Sequence, residues 1–217
     1  KIPTGISYRF SGTYENQVRA SQRLAVVIPL CLLSIFLLLY VEFKNGLIAL
    51  MVFSGVATVF GGGFIMIWLY HQPWFLDIEL AGIHLRELFQ VKPIYLSVAV
   101  WVGFIALFGI ADDDGVVMAT YLESLFAEKN PQTVQAIRVT VLEAGQRRIR
   151  ACMMTTATAL IALLPVLTSS GRGADIMIPM AIPTIGGMFA EMLSIYIVPV
   201  LYALWKEKQL ANRCNSK

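Results

Sequence analysis

The sequence predicts an all-α membrane protein of five transmembrane helices, with a short extramembrane β-strand at its N-terminus. Two compositional facts and one pattern predict it. Of the 217 residues, 57% are hydrophobic and only 14% are charged, against about 25% charged in a soluble domain. Apolar runs of spanning length recur along the chain, separated by short polar connections. The formal net charge of +3 is small and spread through those connections, so no basic stripe points to nucleic acid. Cys31, Cys152 and Cys214 lie far apart and form neither a disulfide framework nor a zinc motif.

Residues 1–23 are polar. Ile6, Tyr8 and Phe10 alternate with Ser7, Arg9 and Ser11 between Gly5 and Gly12, the pattern of a strand that closes a soluble region, and a lead-in helix from Tyr14 to Arg23 follows. The first span is predicted over 24–41 and the second over 47–70, joined by the tight turn Glu42-Phe43-Lys44-Asn45-Gly46. Gly61-Gly62-Gly63 inside the second span weakens an isolated helix. In a bundle it lets a neighbouring backbone approach, with a hinge as the alternative.

Residues 71–93 read as a surface loop with Trp74 and Phe75 at the membrane boundary. His71, Asp77, Glu79 and His84 fall there too, in no usual metal-ligand spacing. The third span, 94–122, carries Asp112, Asp113 and Asp114 within an apolar run. In a continuous helix leaving the membrane near Glu123, Asp113 lies about 15 Å inside. Acids at that depth are costly and persist where they line a polar cavity or a proton path. The competing reading ends the helix at Ala111 and makes the triplet a solvated turn closed by Gly115.

Asn130 is predicted to cap, and Pro131 to start, an amphipathic cytoplasmic helix over 131–145, followed by Arg147, Arg148 and Arg150. The fourth span is 151–167, the fifth 176–205, and 206–217 is a charged cytoplasmic tail. A modest excess of Lys and Arg on the tail side places the C-terminus in the cytoplasm. Glu191 is a further acid inside the last span. Nothing resembles an enzyme: there is no nucleophile with a base at recognisable spacing and no phosphate loop.

Several stretches carry a family resemblance. Ser97 to Leu107, Gly109 to Met118, Arg148-Ile149-Arg150, Met154-Thr155, Leu164-Pro165, Pro183-Thr184-Ile185-Gly186-Gly187-Met188 and Val198-Pro199 resemble the C-terminal membrane half of resistance-nodulation-division efflux pumps. The heavy-metal branch, exporters of copper and silver or of cobalt, zinc and cadmium, is the nearest in kind. Pro3-Thr4-Gly5, Gly12 and Tyr14 to Gln17 resemble the end of that family's second periplasmic region.

The resemblance implies helices eight to twelve of a twelve-helix protomer. It implies a homotrimer in a bacterial inner membrane, embedded in lipid and completed by an N-terminal half. A periplasmic adaptor protein and an outer-membrane channel would be its partners. It would be a secondary active transporter, without resident cofactor, moving a metal ion of the copper or zinc class against protons. Asp113 matches the family's tenth-helix acid, with Asp112 and Asp114 as extra acids beside it. Met177 matches a methionine that copper-type pumps use as a stepping site, and thioether sulfur suits Cu(I) or Ag(I). Cys152 stands where those pumps place a relay lysine, which leaves Arg150 as the nearest cation. The expected proton relay is therefore Asp113, Asp112, Asp114, Glu191 and Arg150. The alternatives are a non-transporting membrane scaffold and a branch moving drugs or lipids.

Overall fold

A computed structural model describes residues 13–77, 79–80 and 82–215. Six helices and one minimal hairpin make up these residues: α1 (Thr13–Phe43), α2 (Gly46–Tyr70), β1 (Glu79–Leu80), β2 (Ile83–His84), α3 (Leu85–Leu88), α4 (Val98–Lys129), α5 (Val134–Leu167) and α6 (Ala174–Asn215). The expected strand over 6–10 lies outside the described residues. The β1–β2 pair is antiparallel, with Glu79 opposite His84.

Four helical stretches are long and apolar enough to cross a membrane: Val18–Phe43, Gly46–Tyr70, Val134–Leu167 and Ala174–Asn212. Five were expected. By composition α4 does not qualify, because every 18-residue stretch of it contains all three aspartates.

Helix boundaries differ from expectation in three places, each for a local reason. The lead-in helix and first span are one helix, α1, since nothing between Tyr14 and Leu24 breaks it. The amphipathic helix and the fourth span are likewise one helix, α5, because Gly145 to Arg150 contains no proline and a single glycine is tolerated. The 34 residues of α5 rise about 51 Å, more than a hydrocarbon core needs, so its arginine-bearing part extends beyond the apolar part. The expected cytoplasmic tail is helical as far as Asn215, a continuation of α6.

Asn130 does not cap α5. It ends α4 in the left-handed region at φ 38°, where asparagine is tolerated, with its N–H donating to Phe126 O at 3.0 Å. Thr133 caps α5 instead, its Oγ1 accepting from Ala136 N at 3.2 Å. Asn45 caps α2 in the same way, through Leu47 N at 3.1 Å.

α6 is the centre of the bundle and packs against α2, α4 and α5, while α1 leans on α2 and α4. The apolar side chains of α1 are mostly exposed, as a lipid-facing helix requires; Val26 is 69% and Leu33 64% exposed. Backbones meet where glycines cross. A Cβ on Gly62 would lie 2.3 Å from Ala190 Cβ and 2.7 Å from Gly186 O, and one on Gly103 would lie 2.3 Å from Met180 O. Close packing is thus the role of Gly62 and Gly63, whereas Gly61 faces open space.

Pro183 interrupts the hydrogen-bond ladder of α6 beside this crossing. Thr184 Oγ1 donates to Met180 O at 2.9 Å and approaches Gly103 O of α4 at 3.4 Å, a polar link between two helices at the irregular turn.

At the far end, Arg138 of α5 donates from Nε to Glu207 Oε1 of α6 at 2.7 Å and from Nη2 to Oε2 at 3.3 Å. The hydrogen bond from Arg138, with its charge, holds the Glu207 carboxyl below the ordinary glutamate value of 4.5. A group lowered in this way contributes fully above its unfolded value and loses the contribution as pH falls through the lowered one. Loss of the ion pair is therefore expected to loosen these helix ends only in acid, as the pH falls through that lowered value. Spin labels at Gln135→Cys and Ala211→Cys, in a background without native cysteines, test this by distance measurement. The native pair widens in acid, and Glu207→Gln widens it at every pH.

Candidate functional site: a carboxyl layer between two apolar cores

The buried apolar residues form two clusters. One contains Val56, Val59, Phe104, Leu107, Phe108, Ala111, Ile182 and Ile185. The other contains Ile48, Val52, Met118, Leu122, Ile195, Val198 and Tyr202. α2, α4 and α6 each contribute to both, and on each helix the short stretch between the two contributions includes small or polar residues. Gly55, Asp112 to Gly115, and Glu191 to Ser194 fall in that gap. The layer is a property of three helices in register.

α4 runs unbroken through the aspartate triplet, so the reading of a solvated turn is overturned. Gly115 does not close a turn. It sits inside the helix, where its hydrogen faces α2 and a Cβ would meet Val52 Cγ1 at 3.0 Å.

Successive helical residues point about 100° apart, and the three acids therefore have three environments. Asp112 is half-buried, and its Oδ1 is buried with no hydrogen-bond partner. Asp113, the acid singled out by family position, is exposed on this chain. Asp114 is half-buried, beside Cys152 and Thr156 of α5 and Glu191 of α6. Glu191 is 2% exposed, and neither of its carboxylate oxygens has a hydrogen-bond partner. A cavity of about 10 Å³ adjoins it, lined by Val52, Gly55, Asp114, Gly115, Glu191 and Ser194 among others. That is room for one water at most.

The structure brings Asp114 and Glu191 together and leaves Arg150 apart. Arg150 is exposed in the outer groove between α5 and α6, beside Tyr196, Pro199 and Glu207. Two residues along a helix turn it about 200° from Cys152, so it cannot replace the expected lysine. The cation that acts on Cys152 is Arg148, one turn earlier on the same face, with its guanidinium 4.9 Å from the centre of the Tyr121 ring. Sequence reasoning missed Arg148, Thr156 and Ser194. Each lies three or four residues from Cys152 or Glu191, and that spacing alone would have found them.

Cys152 is a free thiol, 3% exposed. Met177 is 45% exposed in the first turn of α6, and its N–H donates to Gly173 O at 3.0 Å. Among the described residues no group of three His, Cys, Asp or Glu is arranged to hold a metal ion. In the 71–93 connection His71 Nδ1 lies 2.9 Å from Ile67 O, Phe75 packs on Tyr70 with ring centres 5.5 Å apart, Gln90 Nε2 donates to Ser169 O at 2.6 Å, and Trp74 is exposed.

The geometry can be set beside known proteins. The chain is 36% identical to the cation efflux system protein CusA of Escherichia coli (strain K12), over 94% of this chain and 18% of that protein. It is 32% identical to the cobalt-zinc-cadmium resistance protein CzcA of Cupriavidus metallidurans, over 96% of this chain and 17% of that one. A crystal structure of a heavy metal efflux pump superposes with a TM-score of 0.67 at 28% identity, covering 94% of this chain and 18% of the other. The chain thus spans less than a fifth of the length of these relatives. The family model that matches it, over residues 1–81 and 88–206, is that of AcrB/AcrD/AcrF. Matched along almost its whole length, the chain belongs to the AcrB/AcrD/AcrF family of resistance-nodulation-division transporters.

Proposed function

We propose that this chain is the C-terminal membrane portion of a proton-driven inner-membrane pump that exports heavy-metal cations, with α4 crossing as a fifth span and the C-terminus in the cytoplasm. One observation carries the reading: Glu191 is fully buried and unpartnered within a carboxyl layer between two apolar cores. An acid so placed is expensive as an ion. Binding a proton removes the charge and with it the cost. Each proton gained or lost therefore favours a different packing of α4 against α6, and an equilibrium between two packings is what a proton gradient drives. Asp113, exposed on this chain, serves as the acid that exchanges protons with the remainder of the pump.

The names of these relatives, a cation efflux system protein and a cobalt-zinc-cadmium resistance protein, support a metal cargo of the copper–silver or the divalent zinc class. Met177, at the outer start of α6, suits a soft monovalent cargo as a stepping site. The N-terminal half, a homotrimer, a periplasmic adaptor and an outer-membrane channel complete the proposed assembly.

The test is metal efflux from proteoliposomes holding the full-length protein under an imposed proton gradient. Asp113→Asn and a variant with all three aspartates amidated are compared with the native protein, and trimer assembly is checked for each. The amidated variant is expected to assemble and to show no gradient-dependent efflux. Unchanged efflux would assign the acids no part in coupling and turn the reading toward a membrane scaffold.

A further inference from the structure

The resemblance points to Asp113, yet the two acids that the fold brings face to face are others: Asp114 on α4 and Glu191 on α6. Both line the small cavity between α2, α4 and α6. Glu191 is 2% exposed and both its oxygens lack partners, and the carboxyl that acts on it most strongly is that of Asp114. Two ionised carboxylates are acceptors only, so neither can satisfy the other. A proton on one supplies the missing donor and removes one of two like charges from an apolar layer. We propose that Asp114 and Glu191 form a carboxyl pair that holds a single shared proton, a protonation site separate from Asp113.

The surroundings fit a proton better than a larger cation. From α2 come Val52 and Gly55, neither of them a ligand, and the cavity holds about 10 Å³. From α5 come the Cys152 thiol and Thr156, whose hydroxyl already donates to Cys152 O at 2.9 Å. On α6 itself Ser194 lines the cavity. The other charged groups in reach are Asp113 and Asp112, the neighbours of Asp114 on α4, and Arg148, which acts on Cys152 from α5. No cation faces Glu191 among the charged groups that act on it. Ionising both members would put two like charges across the α4–α6 contact. The pair therefore couples its proton to the separation of those helices, a role that rests on the pump reading, while the shared proton itself does not.

Infrared difference spectroscopy on the full-length protein in lipid nanodiscs reads that proton without any transport assay. A protonated-carboxyl C=O band is expected near neutral pH. It should disappear in Glu191→Gln, weaken or shift in Asp114→Asn, and persist in Asp113→Asn. Thermal unfolding of each isosteric amide verifies that it is folded. A band that survives in the Asp114→Asn/Glu191→Gln double variant, or one lost in Asp113→Asn alone, would overturn the pair. Loss of the native band on adding sodium ions, but not potassium ions, would also overturn it and make the cavity a cation site. If efflux proves independent of protons while the band behaves as expected, the pump reading fails and the pair stands.

Discussion

Replacing Gly62 by alanine should destabilise the protein by about 1–3 kcal/mol or more, whereas the same change at Gly61 should be neutral or slightly stabilising. The two residues are adjacent, equally apolar and on the same helix. The difference is what each faces. A methyl group on Gly62 would stand 2.3 Å from Ala190 Cβ and 2.7 Å from the Gly186 carbonyl, and the latter is backbone that cannot swing aside. A methyl on Gly61 meets nothing within 4 Å, and alanine is the better helix former. Gly186→Ala removes the same close approach from the other side, with its Cβ 2.2 Å from Met66 Cβ and 2.7 Å from Gly62 O. The double variant should thus cost less than the sum of the singles, because once the helices have separated the second methyl finds room. Midpoints of thermal or denaturant unfolding in one fixed detergent check all four proteins. Equal midpoints for Gly61→Ala and Gly62→Ala would mean that α2 and α6 do not cross at this point.

Replacing Glu191 by leucine should make the protein more stable and less able to couple. Its carboxylate oxygens are buried without partners, and a polar group in that condition costs about 1–3 kcal/mol. Leucine has a similar volume and would adjoin Val52, Met118, Ile195 and Val198, all of which line the same small cavity. Removing an uncompensated buried acid in favour of an apolar side chain is the kind of change that raises stability where a functional site has lowered it. The unfolding midpoint is expected to rise while gradient-dependent efflux falls to background. A lower midpoint would show that the proton shared with Asp114 stabilises the layer more than the added apolar contacts do. A higher midpoint with normal efflux would remove Glu191 from the proton path.

How much could be read in advance differs between fold and site. Apolar runs of spanning length identified α1, α2, α5 and α6, because burial in lipid demands about 20 apolar residues and leaves an unmistakable run. α4 was harder, since its aspartates break the run that would otherwise mark it. Helix ends were read less well. Asn130 before Pro131 has the composition of an N-cap, and only the backbone shows it taking the left-handed conformation that ends α4. Among the acids, position in a family motif favoured Asp113, and one-dimensional spacing cannot tell which of three consecutive residues turns inward.

By itself, then, the sequence determined that this is a helical membrane protein with acids inside its apolar part, because hydropathy and the cost of burying charge act on local stretches of chain. It also carried the family, through short motifs that survive in order. Only the tertiary structure decided that Gly62 and Gly186 meet, that Arg150 faces away while Arg148 faces in, and that Asp114 and Glu191 line the same cavity. Those facts depend on the rotation and register of helices distant in sequence. Rotation and register are fixed by close packing of many side chains at once, which no single stretch contains.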